Sequence, residues 1–280
     1  MIRKRARINP RRICFTLALS VVGVVVLYPL LFVLMTSFKS NIDFVVNPLG
    51  FPTTLHPSNY ATAWELGRVG QYFFNSVTVA FFTLALQIVM ISLASYALGK
   101  LKPWGHGILL SMILMTMFVS AEMITVPNYM TLRQLGLLNT LAGLIIPYTA
   151  TLGLGMGTFI LTGFIRALPK ELDDAALIDG AGVFQIMTRV DLPLVLPALA
   201  TLVIFNFNGV WSEFFWALIT VRDEAIKTLP LGLINFQSQF TSNYGVLCAG
   251  LTILTVPVIV VYLFFSKYFI ANISAGALKG

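Results

Sequence analysis

Six stretches of this chain lack the charge that a soluble surface requires. Residues 13–38, 69–99, 134–165 and 228–266 hold no Asp, Glu, Lys or Arg, while 103–132 and 192–221 hold one acid each, Glu122 and Glu213. Each run reaches the ~20 apolar residues with which a helix crosses a bilayer. Within lipid every backbone N–H and C=O has to be satisfied inside the segment, as a helix does. The runs do not alternate apolar and polar residues as the strands of a membrane barrel do. The expectation is an all-α integral membrane protein of six transmembrane helices, at 13–38, 72–98, 107–131, 141–165, 192–220 and 246–266.

The net charge of +7 invites a nucleic-acid reading, but the placement of the charge opposes it. Thirteen of the eighteen Lys and Arg residues fall in alternate links, at 3–12, 100–102, 166–189 and 267–279. Such asymmetry places both termini and the 166–191 link in the cytoplasm. Arg3-Lys4-Arg5 ahead of Ile13–Phe38 looks like a secretory start, yet the run is too long for a signal sequence and no small-residue cleavage site follows it, so a retained first span is expected. Cys14 and Cys248 have no metal-type spacing, and His56 and His106 stand alone. No Gly-x-x-x-x-Gly-Lys-Ser/Thr phosphate loop and no paired catalytic groups occur. The chain is thus expected to be no enzyme, to hold no cofactor or metal, and to bind no nucleic acid.

Between the fourth and fifth runs, Leu168-Pro169-Lys170-Glu171-Leu172-Asp173-Asp174-Ala175-Ala176-Leu177-Ile178-Asp179-Gly180-Ala181-Gly182 has the grammar of a short helix. Pro169 opens it, the acids Glu171, Asp173 and Asp174 favour the N-terminal dipole, and Gly180 and Gly182 end it. Leu172, Ala175, Ala176 and Ile178 give it an apolar side, and a second short helical piece, 183–188, leads back to Arg189. A helix lying on the bilayer would carry more Lys and Arg and larger apolar residues. A covering protein partner fits the small side chains better.

Here the sequence resembles the permease subunits of bacterial ABC importers, whose loop reads Glu-Ala-Ala, three residues, Gly, about nine residues, then an aliphatic residue, one residue and Leu-Pro. This chain has Asp174-Ala175-Ala176, Gly180 and Val190-Asp191-Leu192-Pro193, with Asp174 replacing Glu as the one departure. Leu135-Gly136-Leu137-Leu138-Asn139-Thr140 with Ile146-Pro147, Asn208-Gly209-Val210-Trp211-Ser212-Glu213-Phe214, and the tail Gly276-Ala277-Leu278-Lys279-Gly280 resemble the MalG-type, maltose and multiple-sugar branch. The resemblance implies a type I importer permease fold and half of a carbohydrate pathway in a bacterial inner membrane. It implies a second homologous permease, two ATPase subunits that use ATP and Mg, and an extracytoplasmic solute-binding protein. Glu171, Asp174, Ala175, Ala176, Gly180 and Pro193 would couple the loop to the ATPase, and Gly276, Lys279 and Gly280 would contact it too. It also implies three parts: residues 1–70 with the first span and an outer segment, a five-helix core at 71–266, and a tail at 267–280.

For the solute path, an acid inside a span is a functional candidate. At ~1.5 Å per residue from Leu192, Asn206 falls near mid-bilayer and Glu213 near the outer edge. On a continuous helix Asn206, Gly209, Glu213 and Trp216 share one face, where amide, carboxylate and aromatic ring suit a sugar. Glu122 is a further candidate, and Trp211 with Trp216 also fit an interfacial belt. The glycines of the fourth run, Gly143, Gly153, Gly155, Gly157 and Gly163, suit close helix packing or a hinge. The alternatives are a stand-alone secondary transporter, which the scarcity of charge inside the spans disfavours, and an ABC permease for a non-sugar solute.

Overall fold

A computed structural model describes residues 10–120, 122–239 and 243–277, without the side chains of 10–14, 235–239 and 268–277. The chain forms two compact units, residues 1–69 with 235–253 and residues 70–234 with 254–280.

In the first unit, α1 (Pro10–Thr36) carries Arg11 and Arg12 at its start and is apolar all round from Phe15 to Thr36, and none of that hydrophobic window is buried within the chain. A helix of that kind belongs in lipid or against another membrane helix. The turn-rich segment after it is folded tightly. Ser40 caps α2 (Asn41–Val46) by accepting from the Asp43 N–H at 3.1 Å, and α3 (Ser58–Glu65) follows. Lys39 is buried and donates to the carbonyls of Asn47 at 2.7 Å and Pro48 at 3.1 Å. Asn59 donates to the carbonyls of Ser37 and Lys39, both at 2.9 Å. These bonds satisfy main-chain groups that no helix covers, as burial demands.

The second unit holds the remaining helices. They are α4 (Val69–Tyr96), α5 (His106–Met115), α6 (Thr125–Gln134), α7 (Ala142–Thr151), α8 (Leu154–Arg166), α9 (Lys170–Ile178), α10 (Val183–Ile186), α11 (Leu192–Leu194), α12 (Leu196–Trp211) and α13 (Phe215–Thr220), with α14 (Leu229–Gln239) and α15 (Tyr244–Ala277) each divided between the two units. Ile91 and Tyr96 of α4, Leu161 and Ile165 of α8, Met187, and Val195, Ala198, Leu199 and Leu202 around α12 form its core. Gly157 lets α8 lie against Ile91, and Gly99 meets Ile165 Cγ2 at 3.0 Å from where a Cβ would sit. Small residues allow such approaches between membrane helices.

Among the described residues, four helical segments are long and apolar enough to cross a membrane: 15–36, 69–101, 196–220 and 244–267. The pair α7 and α8, bent by 46° at a short break, is long and apolar enough only when taken together. The expected span at 107–131 is not one helix. α5 ends in a 3-10 turn at Thr116–Phe118, and α6 starts afresh at Thr125. Pro127 lacks an N–H and sits where none is needed, in the first turn of α6. The expected span at 192–220 starts with the short α11 and is broken again at Ser212–Phe214. Asn206, Gly209, Glu213 and Trp216 therefore do not share one continuous helical face, since the last two lie beyond the end of α12.

The bend between α7 and α8 sits at Gly153, whose φ of +84° only glycine adopts readily. A Cβ there would overlap the Asn206 amide. Gln87 is fully buried on α4, and its amide donates to Tyr148 O at 3.0 Å and to Leu152 O. A broken helix leaves carbonyls without an N–H partner, and in lipid these need another donor. Gln87 supplies it.

Candidate coupling loop and solute path

The α8 core carries the chain into the loop through Arg166, which donates to Leu98 O at 3.1 Å. Pro169 is extended, with ψ of 134°, and α9 begins after it. No residue of α9 is buried. Glu171, Asp174 and Ala175 are exposed, Ala176 is half-buried, and Leu177 and Ile178 are 55% and 87% exposed. Gly180 has φ of +82°, and the Ala181 N–H closes the helix on Ala176 O at 2.9 Å. This is the left-handed glycine ending of a helix. Gln185 Oε1 accepts from the Gly182 N–H at 3.0 Å and starts α10, where Val183 and Phe184 are again exposed. Pro193 lies exposed in α11. The loop thus presents apolar side chains that the chain itself does not cover.

The root of the loop is held by three residues that the motif alone does not single out. Lys100 lies in a π-helical turn, Ala97–Leu101, that extends α4, and Asp191 ends a second one, Met187–Asp191, ahead of α11. Lys100 Nζ is 2.5 Å from Asp173 Oδ2 on α9 and 3.5 Å from Asp191 Oδ1. The Asp191 side chain is 0% exposed. One ammonium therefore serves two carboxylates and ties α9 to the ends of α4 and α11. Burial pushes the Asp191 carboxyl above its usual value of 3.8; Lys100 pulls it down and the neighbouring Asp173 pushes it up.

The solute-path candidates fall into different settings. Asn206 is buried against Gly153, and Gly209 is half-buried on α12. Trp216 is buried, with its indole N–H on Gly143 O at 3.0 Å. Glu213 caps α13: it accepts from the Trp216 N–H at 2.7 Å and the Ala217 N–H at 3.4 Å, and the Tyr148 hydroxyl donates to it. Its carboxylate thus complements the N-terminus of a half-helix. Glu122 is exposed just before α6. Of the tail candidates, Gly276 is in the last turn of α15, while Lys279 and Gly280 lie outside the described residues.

The other motif stretches hold backbone. Asn139, in the left-handed conformation at φ +59°, donates its N–H to Thr220 O at 3.0 Å, and its side chain accepts from the Arg222 and Asp223 N–H groups at 2.9 and 2.8 Å. It fixes the end of α13. Trp211 is buried and donates to Leu254 O at 2.9 Å, joining α12 to α15.

Residues 11–274 match the family described as binding-protein-dependent transport system inner membrane component. The chain belongs to this family. It is a transport permease, not an enzyme, and a multi-pass membrane protein. It is 34% identical over 259 residues to the diacetylchitobiose uptake permease NgcG of Streptomyces coelicolor, covering 92% of this chain and 85% of that protein. It is 31% identical over 278 residues to the melibiose/raffinose/stachyose import permease MelC of Bacillus subtilis, covering 99% of this chain and all of that one. A solved bacterial ABC transporter that imports the acidic polysaccharide alginate superposes with a TM-score of 0.81 over 96% of this permease and 99% of its own chain, at 24% identity, and shows the same fold.

Proposed function

We propose that this permease is one of two transmembrane subunits of an ATP-driven importer of sugars or oligosaccharides in a bacterial inner membrane. A second homologous permease completes the pathway. Two ATPase subunits bind ATP and Mg, and an extracytoplasmic binding protein delivers the solute. Both termini and the 166–191 loop face the cytoplasm, in keeping with the Lys and Arg asymmetry. Residues 1–70 supply the first span and an outer segment, 71–266 the core, and 267–280 a tail that reaches the ATPase through Gly276, Lys279 and Gly280.

The observation that carries this reading is α9. A nine-residue helix with none of its residues buried, and with Leu177 and Ile178 open, stands on a root clasped by Lys100, Asp173 and Asp191. Glu171, Asp174, Ala175, Ala176 and Gly180 form the surface that docks into the ATPase, and Pro193 starts the rigid path into α12. Movement of α9 is then delivered to α4 and α12 together. The sugar class rests on relatives that import diacetylchitobiose and melibiose-type sugars over nearly the whole of this chain.

The test is gentle extraction of the tagged permease from its native membrane. An ATPase and a second six-span permease that co-purify, with ATP hydrolysis stimulated by a sugar-loaded binding protein, support the reading. A chain that purifies alone and moves solute in vesicles without ATP overturns it in favour of a stand-alone transporter.

A further inference from the structure

Three helix breaks of the second unit meet at one place. The start of α6, the end of α7 and the Ser212–Phe214 break supply Ile124 and Asn128, Tyr148 and Thr151, and Glu213 to one small cavity of about 40 Å³. Ile124 and Thr151 also line an adjoining cleft of about 300 Å³ that reaches Thr116 at the end of the α5 segment. Non-helical backbone at membrane depth is tolerated where it is buried in protein or lines a watery cavity. Discontinuous helices are a recurring way of building a solute site inside a bilayer. The groove between α5 and α8 around Leu110 and Phe159 is by contrast mostly apolar, with Thr162 and Arg166 in its wall.

The chemistry of the lining is specific. Thr116 and Thr151 donate their hydroxyls to Ile113 O at 2.6 Å and Pro147 O at 2.8 Å. Tyr148 donates to Glu213. All three oxygens keep lone pairs to offer but no proton, so they act as acceptors. Asn128 adds both a donor and an acceptor. Such a set fits hydroxyl donors. The one charged side chain lining either space is Glu213, and no Lys, Arg or His lines them among the described residues. In a low-dielectric cleft a single carboxylate repels anions over several ångströms.

We propose that this cleft is a subsite for an uncharged, hydroxyl-rich solute, contacted by Asn128, Tyr148 and Thr151, with Glu213 setting a sign that excludes acidic saccharides. The proposal rests on the importer reading and deepens it by naming where and what this permease binds. Asn206 lines neither space and acts behind them as a support, while Trp216 forms part of the wall of the small cavity.

Single-cysteine labelling of the assembled transporter in nanodiscs tests it. In a Cys14→Ser, Cys248→Ala background, Asn128→Cys and Thr151→Cys are compared with Phe159→Cys on the apolar groove. The probes are a cationic and an anionic methanethiosulfonate, each rate being normalised to its reaction with free mercaptoethanol. Labelling is measured with and without ATP. The expected result is reaction at 128 and 151 about tenfold faster than at 159 in at least one state, and a normalised preference for the cation of about tenfold that Glu213→Gln removes. Silence at 128 and 151 in both states shows that the cleft is not on an aqueous path and overturns the proposal. Equal rates for the two probes overturn the exclusion of acidic solutes. ATP hydrolysis stimulated by a sugar-loaded binding protein, assayed in the same nanodiscs, separates these outcomes from a failure of the importer reading.

Discussion

Replacing Lys100 by Met removes the one ammonium between two carboxylates while keeping most of the side chain's volume. The Lys100 and Asp173 side chains are 11% and 19% exposed and that of Asp191 is 0% exposed, so water reaches the pair with Asp173 but hardly Asp191. Removing one partner of a buried ion pair costs ~3–5 kcal/mol; the partial exposure here argues for the lower end, about 3 kcal/mol. For a chain of this size that is a fall in Tm of about 6 °C. The fluorescence of the buried Trp211 and Trp216, both in the same unit as the clasp, reports the transition in detergent. Asp191→Leu added to Lys100→Met should recover about half of the loss, because the most deeply buried unpaired charge is then gone. Lys100→Arg should stay near the wild type. The pH dependence has a definite sign. Asp191 has a raised carboxyl in the folded chain, so its contribution is full below the unfolded value of 3.8 and is lost as pH rises through the raised value. The penalty of Lys100→Met should therefore be smaller at acid than at alkaline pH. A drop under about 1 °C, or a penalty that grows on acidification, would refute the electrostatic account of the clasp.

Gly153→Ala should lower Tm by several degrees, since its φ of +84° penalises any Cβ and that Cβ would overlap Asn206; Gly153→Ala with Asn206→Ala should recover part of the loss, as thermal unfolding will show. Asn139→Ala should cost about 1–2 kcal/mol, through two lost caps and a strained φ, and Asn139→Gly less, measured in the same way. Ala175→Trp lies on an exposed face, so it should leave Tm unchanged while uptake falls at least about tenfold, the equivalent of ~1.4 kcal/mol of lost docking. Wild-type uptake from that variant would remove α9 from the coupling path.

The sequence makes the spans legible because charge is excluded from lipid, and makes α9 legible because proline, acids and glycine stand where a short helix begins and ends. The five glycines of the fourth run left close packing and a hinge open, and did not say that the bend falls at Gly153. The breaks in the third and fifth apolar runs were not visible. Residues 119–124 and 212–214 contain neither glycine nor proline. The signals were subtler: Pro127 suits a first turn, and Glu213 suits the N-terminus of a new helix better than the middle of an old one. Treating Glu213 as part of an unbroken face gave it a freedom that its three donors remove. The clasp was illegible for another reason. Lys100 and Asp173 are 73 residues apart, and nothing in either neighbourhood names its partner. The same holds for Gln87, whose polarity within an apolar span marks it as special without indicating the broken helix that it satisfies.

The central claim is that this permease moves solute only at the expense of a partner's ATP. It is tested most directly by uptake of radiolabelled raffinose and diacetylchitobiose into proteoliposomes. These hold the co-purified complex, with ATP enclosed on the ATPase side and the binding protein outside. The account predicts accumulation of at least one sugar that needs both ATP and the binding protein and disappears with a non-hydrolysable analogue. Uptake that persists without ATP, or that needs only an ion gradient, would contradict it.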